Sequence, residues 1–581
     1  MNNRKLIAVI FFKITHSHHE LIKGITAQAN SCNCDIAIFS IFSADDQENG
    51  EKCIFDLINF EKTDGIIFID SSFWVDKVRD YTAELIKEKC QKPVIVLNSL
   101  LTEKYNFYNL KISDKQYIHE ITSHLIEKHH FSKIYFLTGP KGNFLAEERI
   151  KGYLLAMRSY NLNVKSEYIR YGNFWTESGE LLANDIASGK IEKPEAVVCA
   201  NDIMAIALAN KLESLGFAVP DDIAVTGFDA SSESILNTPS ITTYLPPDRL
   251  YGSLLVCKLL NLIEKKELHS PKLHNGKMII NTSCGCRTFD NEFMKTVKNQ
   301  IVFNDKCREK IDAGNMPEKL LFADNLEKFI FGVDELTYLI NGYDRYFLCL
   351  NSDFIIDHHS PQSSYSDEMI VMLDKIEFVK VSRNILFQKT DMLPALSEAS
   401  AKPRVFYFTP LYFNSKCYGF SAVTFKDNEM VIDYAYRTWN RNISNALHFL
   451  STKDTSEKLD ITRHIQKSMV SVAPKWLYIV LRDMSRPENF ILGLPRMLDI
   501  SHVSQEHLIR VFKKYLGTTP THYINDLRLE YAVSLIEEKN YEITDACFSS
   551  GFNNISHFYH TFKKKYGCSP KKFITQKNAE G

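Results

Sequence analysis

The sequence predicts a multidomain protein: a two-lobed α/β domain, then an α+β domain, then an all-α end carrying two helix-turn-helix units. Three observations carry this. Short Val/Ile-rich runs alternate with amphipathic segments through the first half, the chain turns to strand-like runs from Arg345, and one block near the C-terminus occurs twice, fifty positions apart. In the duplicate, Phe512 corresponds to Phe562, Lys513-Lys514 to Lys563-Lys564, Gly517 to Gly567, Pro520 to Pro570, Tyr523 to Phe573 and Ile524 to Ile574. A repeat that keeps aromatic, basic, glycine and proline positions in step implies two similar helical units rather than shared composition.

Length and composition set the frame. A chain of 581 residues exceeds what one hydrophobic core organises, so three or more domains are expected. With 45% hydrophobic residues, 24% charged residues and a net charge of -2, the composition is that of a soluble globular protein. Residues 490–581 hold 12 Lys/Arg against 9 Asp/Glu, a net of +3 that leaves -5 upstream, compatible with a polyanion-binding end. Thirteen cysteines without framework spacing fit the reduced thiols of a cytoplasmic protein. Cys32/Cys34 and Cys284/Cys286 are C-x-C pairs, but neither has the second ligand pair that a structural zinc site needs, so no metal is expected. Arg4-Lys5 before Leu6–Phe12 faintly imitates a signal peptide, yet the apolar run is short, Lys13 follows and no small-residue cleavage site is evident, so it reads as a buried strand. No run approaches the ~18 apolar residues of a membrane helix.

Within residues 1–288, strands are expected at Leu6–Phe12, Asp35–Ser40, Gly65–Ile69, Pro93–Leu97, Lys133–Thr138, Ala196–Ala200 and Ile223–Phe228, with helices around Glu20–Asn30 and before Asp64. Strands separated by helical patterns describe parallel β-α-β units, and about ten of them suggest two doubly wound lobes around a cleft. Ligands in such sheets bind beyond the carboxyl ends of the strands.

Thr138-Gly139-Pro140 with Glu148–Tyr153, Cys199–Ala205 and Val219–Asp229 resemble, in that order, the effector domain of the lactose-repressor family, a periplasmic-binding-protein-like fold. The resemblance covers roughly residues 5–287 and implies that Arg149, Asn201 and Asp229 hydrogen-bond ligand hydroxyls while Phe174 packs on a sugar face. Arg donates through a planar fork, Asp accepts and Asn does both, a set suited to a ring of hydroxyls. The competing reading makes Asn201 and Asp202 caps of the following helix. Two features depart from the family: no DNA-binding headpiece fits before Leu6, and Asn98-Ser99 stands where an acidic-basic pair is usual. His16, His18 and His19 read as a solvated or hydrogen-bonding loop rather than metal ligands.

Residues 289–453 are expected to form an α+β domain, with helices at Asn291–Lys310 and Leu320–Ile340, strands at Arg345–Leu350, Arg404–Pro410 and Gly419–Phe425, and a helix near Trp439–Leu450. Phe406–Tyr412 with Cys417–Phe420 resembles a GAF-like sensor domain, although aromatics alternating along strands are more often core than a cofactor box. A spacer or dimerisation role suits it equally. Residues 454–488 read as a linker, with Asp454–Lys467 charged and helix-compatible.

In residues 489–581, Leu508, Val511, Phe512 and Tyr515 make one apolar helix face, preceded by Ser504 as N-cap and stopped by Gly517 and Pro520. Leu494–Leu498 supplies the first helix, Pro520–Glu538 a long connector, and Ile543–Ser549, Gly551 and the Ile555, Phe558, Phe562 stripe the second unit. Phe512-Lys513-Lys514, Leu527-Arg528-Leu529, Gly551-Phe552-Asn553 and Phe562-Lys563-Lys564 with their Gly and Pro positions resemble the DNA-binding domain of the AraC/XylS family. The resemblance implies that both recognition helices enter the major groove, with Glu506, Ile509 and Arg510 reading from the first and Ile555, Ser556, Tyr559 and His560 from the second. Lys513, Lys514, Lys563 and Lys564 are placed for phosphates, the bland alternative being a solvated face.

Together these readings point to a ligand-responsive, sequence-specific, cytoplasmic regulator of transcription. It would bind double-stranded DNA as a homodimer, sense a sugar-like metabolite without any cofactor, and meet RNA polymerase if it activates. The alternatives are a non-catalytic solute-binding protein, or a regulator whose effector domain senses a protein partner instead. No nucleophile-base pair, phosphate loop or paired-carboxylate motif supports an enzyme.

Overall fold

The computed structural model describes residues 4–42, 50–73, 75–99, 101–265, 276–286, 295, 316–321, 323–355, 361–376, 379–382, 384–452, 475–484, 486–516, 518–539, 541–566 and 568–573. The strand expected at Leu6–Phe12 is β1 (Leu6–Lys13), buried along its centre and flanked by β2 (Asp35–Ile41) and β3 (Gly65–Ile69), with β4 (Val94–Leu97) and β5 (Tyr108–Leu110) beyond. All four pairings are parallel, as continuous Val/Ile runs require when both sheet faces are covered. The second lobe is a parallel sheet ordered β7 (Ile169–Tyr171), β6 (Ile134–Thr138), β8 (Ala196–Cys199) and β9 (Ala224–Thr226). The helix expected before Asp64 is instead a 3-10 segment, Gly50–Leu57.

After the second lobe the chain returns to the first. Helix Asp248–Glu264 crosses helix His19–Ser31 at two glycines: a Cβ on Gly24 would sit 1.8 Å from the Arg249 carbonyl oxygen, and one on Gly252 would sit 2.1 Å from that of Leu21. Only backbone fits at that crossing. The chain then comes back through β11 (Lys277–Ile279), antiparallel to β10 (Thr243–Leu245), and ends the domain in the turn Thr282–Cys284.

The middle segment is antiparallel: β12 (Tyr343–Asn351) lies between β13 (Glu368–Ile376) and β17 (Lys416–Phe425), β17 pairs with β16 (Val405–Phe413), and β14 (Val379–Ser382) and β15 (Ile385–Gln388) pair with β13. Helices Met316–Leu321, Leu326–Leu336 and Tyr434–Thr452 complete the expected α+β organisation; the helix expected at Asn291–Lys310 lies outside the described residues, apart from position 295. The segment is not an independent spacer. Its β16 adds to the free edge of β2 in parallel register, Val405 opposite Ile36 through Phe408 opposite Phe39. Eleven described strands thereby form one sheet, and an otherwise unpaired edge is covered. Pro410 lies in β16 just past the last of these rungs, where its missing N–H costs the β2 ladder nothing. One core runs across the junction, combining Ile10, Phe39, Phe55 and Phe68 with Phe347, Phe406, Phe408 and Phe420.

The C-terminal helices form two small cores. Leu508, Val511 and Phe512 lie in the first, Phe558 and Phe562 in the second. The connecting helix Pro520–Lys539 serves both, giving Ile524 and Leu527 to one and Leu529, Ala532 and Leu535 to the other. Helix Lys475–Met484, inside the expected linker, belongs instead to the first core through Leu477, Val480, Leu481 and Met484, and Ile376 of β13 joins the same cluster. Residues 454–474 of that linker lie outside the described residues.

Candidate effector cleft and nucleic-acid interface

The second-lobe residues expected to meet a ligand do converge. Arg149, on helix Phe144–Ser159, is buried and packs over the Phe228 ring at 4.3 Å. Its guanidinium is already engaged: Nε and Nη2 donate to Asp114 Oδ2 at 3.0 and 2.7 Å, and Nη1 donates to the Ala200 carbonyl at 2.6 Å. Asp229 Oδ1 stands 4.0 Å from Nη2. Asp114, which holds the arginine, stands at the N-terminus of helix Lys115–His129, packed on the helix that carries Arg149, and no motif surrounds it in the sequence.

Asn201 serves the role weighed against ligand contact. Its Oδ1 accepts from the Met204 N–H at 3.0 Å as the N-cap of helix Asp202–Ser214, while Nδ2 donates to the Phe174 carbonyl at 2.9 Å. One donor and one acceptor of the amide are thus used within the protein. Phe174 lies with its ring across Gly139, where any Cβ would come within 2.0 Å of the ring. Phe174 and Asp229 hold φ of 68° and 103°, positions unfavourable for side-chain-bearing residues and typical of ligand clamps. The exposed Trp175 beside Phe174 was not singled out from sequence.

The electrostatics are those of an acidic recess around one cation. Burial, with Asp202, Asp248 and Asp114 adding to it, pushes Asp229 well above the ordinary carboxylate range, although its side chain keeps 41% exposure at the mouth and Arg149 pulls the other way. Burial and then Asp114 push Asp248 up to about 7. Burial raises Asp202 and Asp70 to about 6 each, against hydrogen bonds from Thr243 and Ser99 that favour their charged forms. At the departure noted in sequence, Ser99 donates to Asp70 at 2.6 Å. The histidine loop behaves as a hydrogen-bonding loop: His18 Nδ1 lies 3.1 Å from the Thr15 N–H and the ring is held neutral by burial. His124 and His129 bring to Cys284 and Cys286 the second ligand pair that the sequence did not place near them.

In the C-terminal pair, the fifty-residue repeat extends to atoms. Ser504 Oγ caps His507 N–H at 3.3 Å and Asn554 Oδ1 caps His557 N–H at 3.0 Å; Thr519 and Ser569 repeat the device at His522 and Lys572. Phe512 meets Tyr523 edge-on at 5.6 Å, and Phe562 meets Phe573 edge-on at 5.5 Å. Arg528 joins the units, donating to the carbonyls of Phe490 at 3.1 Å and Ile491 at 2.8 Å while facing the Phe552 ring.

On the recognition helices Gln505–Leu516 and Ile555–Tyr566, Glu506, Arg510, Lys513, Ser556, Tyr559, His560, Lys563 and Lys564 are exposed. Ile509 is half-buried, and Ile555 packs on the second core. Lys514 lies in the helix, but its side chain is outside the described residues. His560 and Lys564 line a groove with His522, Asn525, His557 and Thr561, between the second recognition helix and the connector.

Fold and site thus define a two-lobed binding domain joined to a tandem helix-turn-helix domain. A family model described as a periplasmic binding protein-like domain matches residues 122–284, and one described as a helix-turn-helix domain matches residues 497–576. The probable HTH-type transcriptional repressor ExuR of Bacillus subtilis (strain 168) is 31% identical over 289 residues, 49% of this chain and 82% of the relative. The HTH-type transcriptional repressor PurR of Vibrio vulnificus (strain CMCP6) is 36% identical over 146 residues, 25% of this chain, and the chain spans less than half of that relative's length, 43%. Among solved structures, the transcriptional regulator CelR-cellobiose complex matches 49% of this chain and 86% of its own at 18% identity and a TM-score of 0.39. The chain belongs to the family of HTH-type transcription regulators with a lactose-repressor-type effector domain, and carries its helix-turn-helix match in an AraC-type C-terminal domain. It is a DNA-binding transcription regulator.

Proposed function

We propose that the effector is a small, neutral, polyhydroxylated molecule of the sugar class, taken up between the lobes against Arg149, Asp229 and Phe174. Asp114 already occupies the one arginine there, and Asp229 and Asp248 beside it are held toward their protonated forms, so an anionic ligand would find no uncompensated cation, whereas hydroxyls can exchange hydrogen bonds with these carboxyls. The aromatic ring of Phe174 offers an apolar face beside them. Regulation follows if the ligand binds one arrangement of the lobes better than another.

The observation that carries the coupling is the continuous sheet. It runs from the cleft strands through β2 and β16 to β13, whose Ile376 packs in the first helix-turn-helix core. In this reading the chain acts by binding rather than turnover, in the cytoplasm, as a homodimer on DNA, with Arg510 and Glu506 reading bases and the paired lysines holding phosphates. The test is a thermal-shift screen of neutral, cationic and acidic sugars on the full chain, followed by DNA affinity with and without each hit. Stabilisation by neutral sugars that changes DNA affinity and vanishes in Asp229→Asn supports the reading. Stabilisation by acidic sugars alone overturns the ligand class.

A further inference from the structure

We propose that His124, His129, Cys284 and Cys286 form a tetrahedral zinc site that fastens the last turn of the effector domain to helix Lys115–His129. The four ligand atoms lie within 4.8 Å of one another. Cys286 Sγ is 3.4 Å from His129 Nε2 and 3.5 Å from His124 Nε2, and Cys284 Sγ is 3.6 Å from His124 Nε2. With Zn–S near 2.3 Å and Zn–N near 2.0–2.1 Å at tetrahedral angles, each sulfur-to-nitrogen edge measures about 3.6 Å. The three observed sulfur-to-nitrogen edges therefore match those of a zinc tetrahedron.

The surroundings are built for convergence. Gly285, between the cysteines, has φ +99°, and a Cβ there would stand 3.3 Å from the His129 ring, so the turn needs glycine both to fold back and to admit the imidazole. Cys284 is fully buried, with the Thr242 hydroxyl 3.0 Å from its sulfur, a partner that can donate to a thiolate. His129 stacks on Phe131 at 5.5 Å, fixing its ring. Two thiolates and two imidazoles favour zinc over magnesium or calcium, which take oxygen ligands. The ligand pairs are far apart in sequence and no contiguous zinc-finger spacing exists, which is why the cysteines alone carried no metal signal. Zinc here would fix the point at which the chain leaves the effector domain, so that lobe movement is passed on rather than lost in a loose end.

The full chain, purified untagged under reducing conditions without chelator, should contain about one equivalent of zinc. After exchange into cobalt(II) it should show the visible bands of tetrahedral cobalt and a thiolate-to-cobalt charge-transfer band. Cys286→Ser and His129→Ala should each lose the metal, while Cys32→Ser with Cys34→Ser should keep it. A wild-type chain that is folded, holds no stoichiometric transition metal and gives no tetrahedral cobalt spectrum overturns the proposal, as does metal that both site variants retain or a Cys284–Cys286 disulfide in the reduced preparation. If the variants do not fold, the cobalt spectrum of the wild type decides alone.

Discussion

Phe39 of β2 and Phe408 of β16 stack face to face, centroids 4.8 Å apart and planes 12° from parallel, across the rung where the effector sheet meets the middle sheet. Both rings are fully buried. Replacing either by alanine removes a large core side chain and should cost about 3–5 kcal/mol. Because one core spans the junction, the loss should fall on both halves together: urea unfolding followed by circular dichroism and by tryptophan fluorescence should give one coincident transition at lower urea. Two separated transitions, with only the middle segment weakened in Phe408→Ala, would contradict a shared core.

Arg149→Ala tests less about ligand binding than the sequence suggests. The side chain is bound by Asp114, and both are buried, with 8% and 7% side-chain exposure. Removing the arginine strands a buried carboxylate and should cost about 3–5 kcal/mol before any ligand is added. The double variant Arg149→Ala/Asp114→Asn should recover part of that loss. Chemical denaturation measures it, and an unchanged midpoint in Arg149→Ala would show the pair to be dispensable.

The buried carboxyls of the two lobes make a prediction with a definite sign. Asp248 titrates at about 7 and Asp70 and Asp202 at about 6, all above the ordinary value of 3.8, chiefly through burial. The folded state then holds more protons than the unfolded chain between those limits, so stability from these groups is full below the ordinary value and is lost as pH rises through 6 to 7. The melting temperature of the unliganded chain should fall across that window. Asp248→Asn should flatten the fall, and a melting temperature that rises instead, or an unaltered slope in the variant, sinks the assignment.

Much of this was legible in the sequence because local patterns report local structure. Gly65–Ile69 and Ile543–Ser549 fall where their periodicity puts them, since a parallel strand buried on both faces and an amphipathic helix have residue signatures. The joining of β16 to β2 does not, because ladder hydrogen bonds are made by backbone that every residue shares. Val405–Phe408 would read as buried wherever the strand lay. The Arg149–Asp114 pair was missed for a related reason: its partners are brought together by the packing of two separate helices, which no spacing encodes.

The two halves of the DNA-binding repeat should be separable by substitution. Arg510 is exposed on the first recognition helix with Nη2 3.0 Å from His507 Nδ1, free to swing toward a guanine edge. His560, fifty positions on, is exposed too, and lines a groove with His522 and Lys564 beside the connector. Arg510→Ala should therefore weaken the preferred site by about 1–3 kcal/mol and relax base preference at one position. Lys563→Ala, exposed a turn further on, should weaken all sequences alike and reduce the slope of log affinity against log salt by about 0.9. His560→Ala should leave base preference nearly intact. Selection of binding sites by each variant, with salt titrations on specific and random duplexes, distinguishes these outcomes. If His560→Ala relaxes sequence preference as much as Arg510→Ala, the two units read DNA equally and this expected difference between them is wrong.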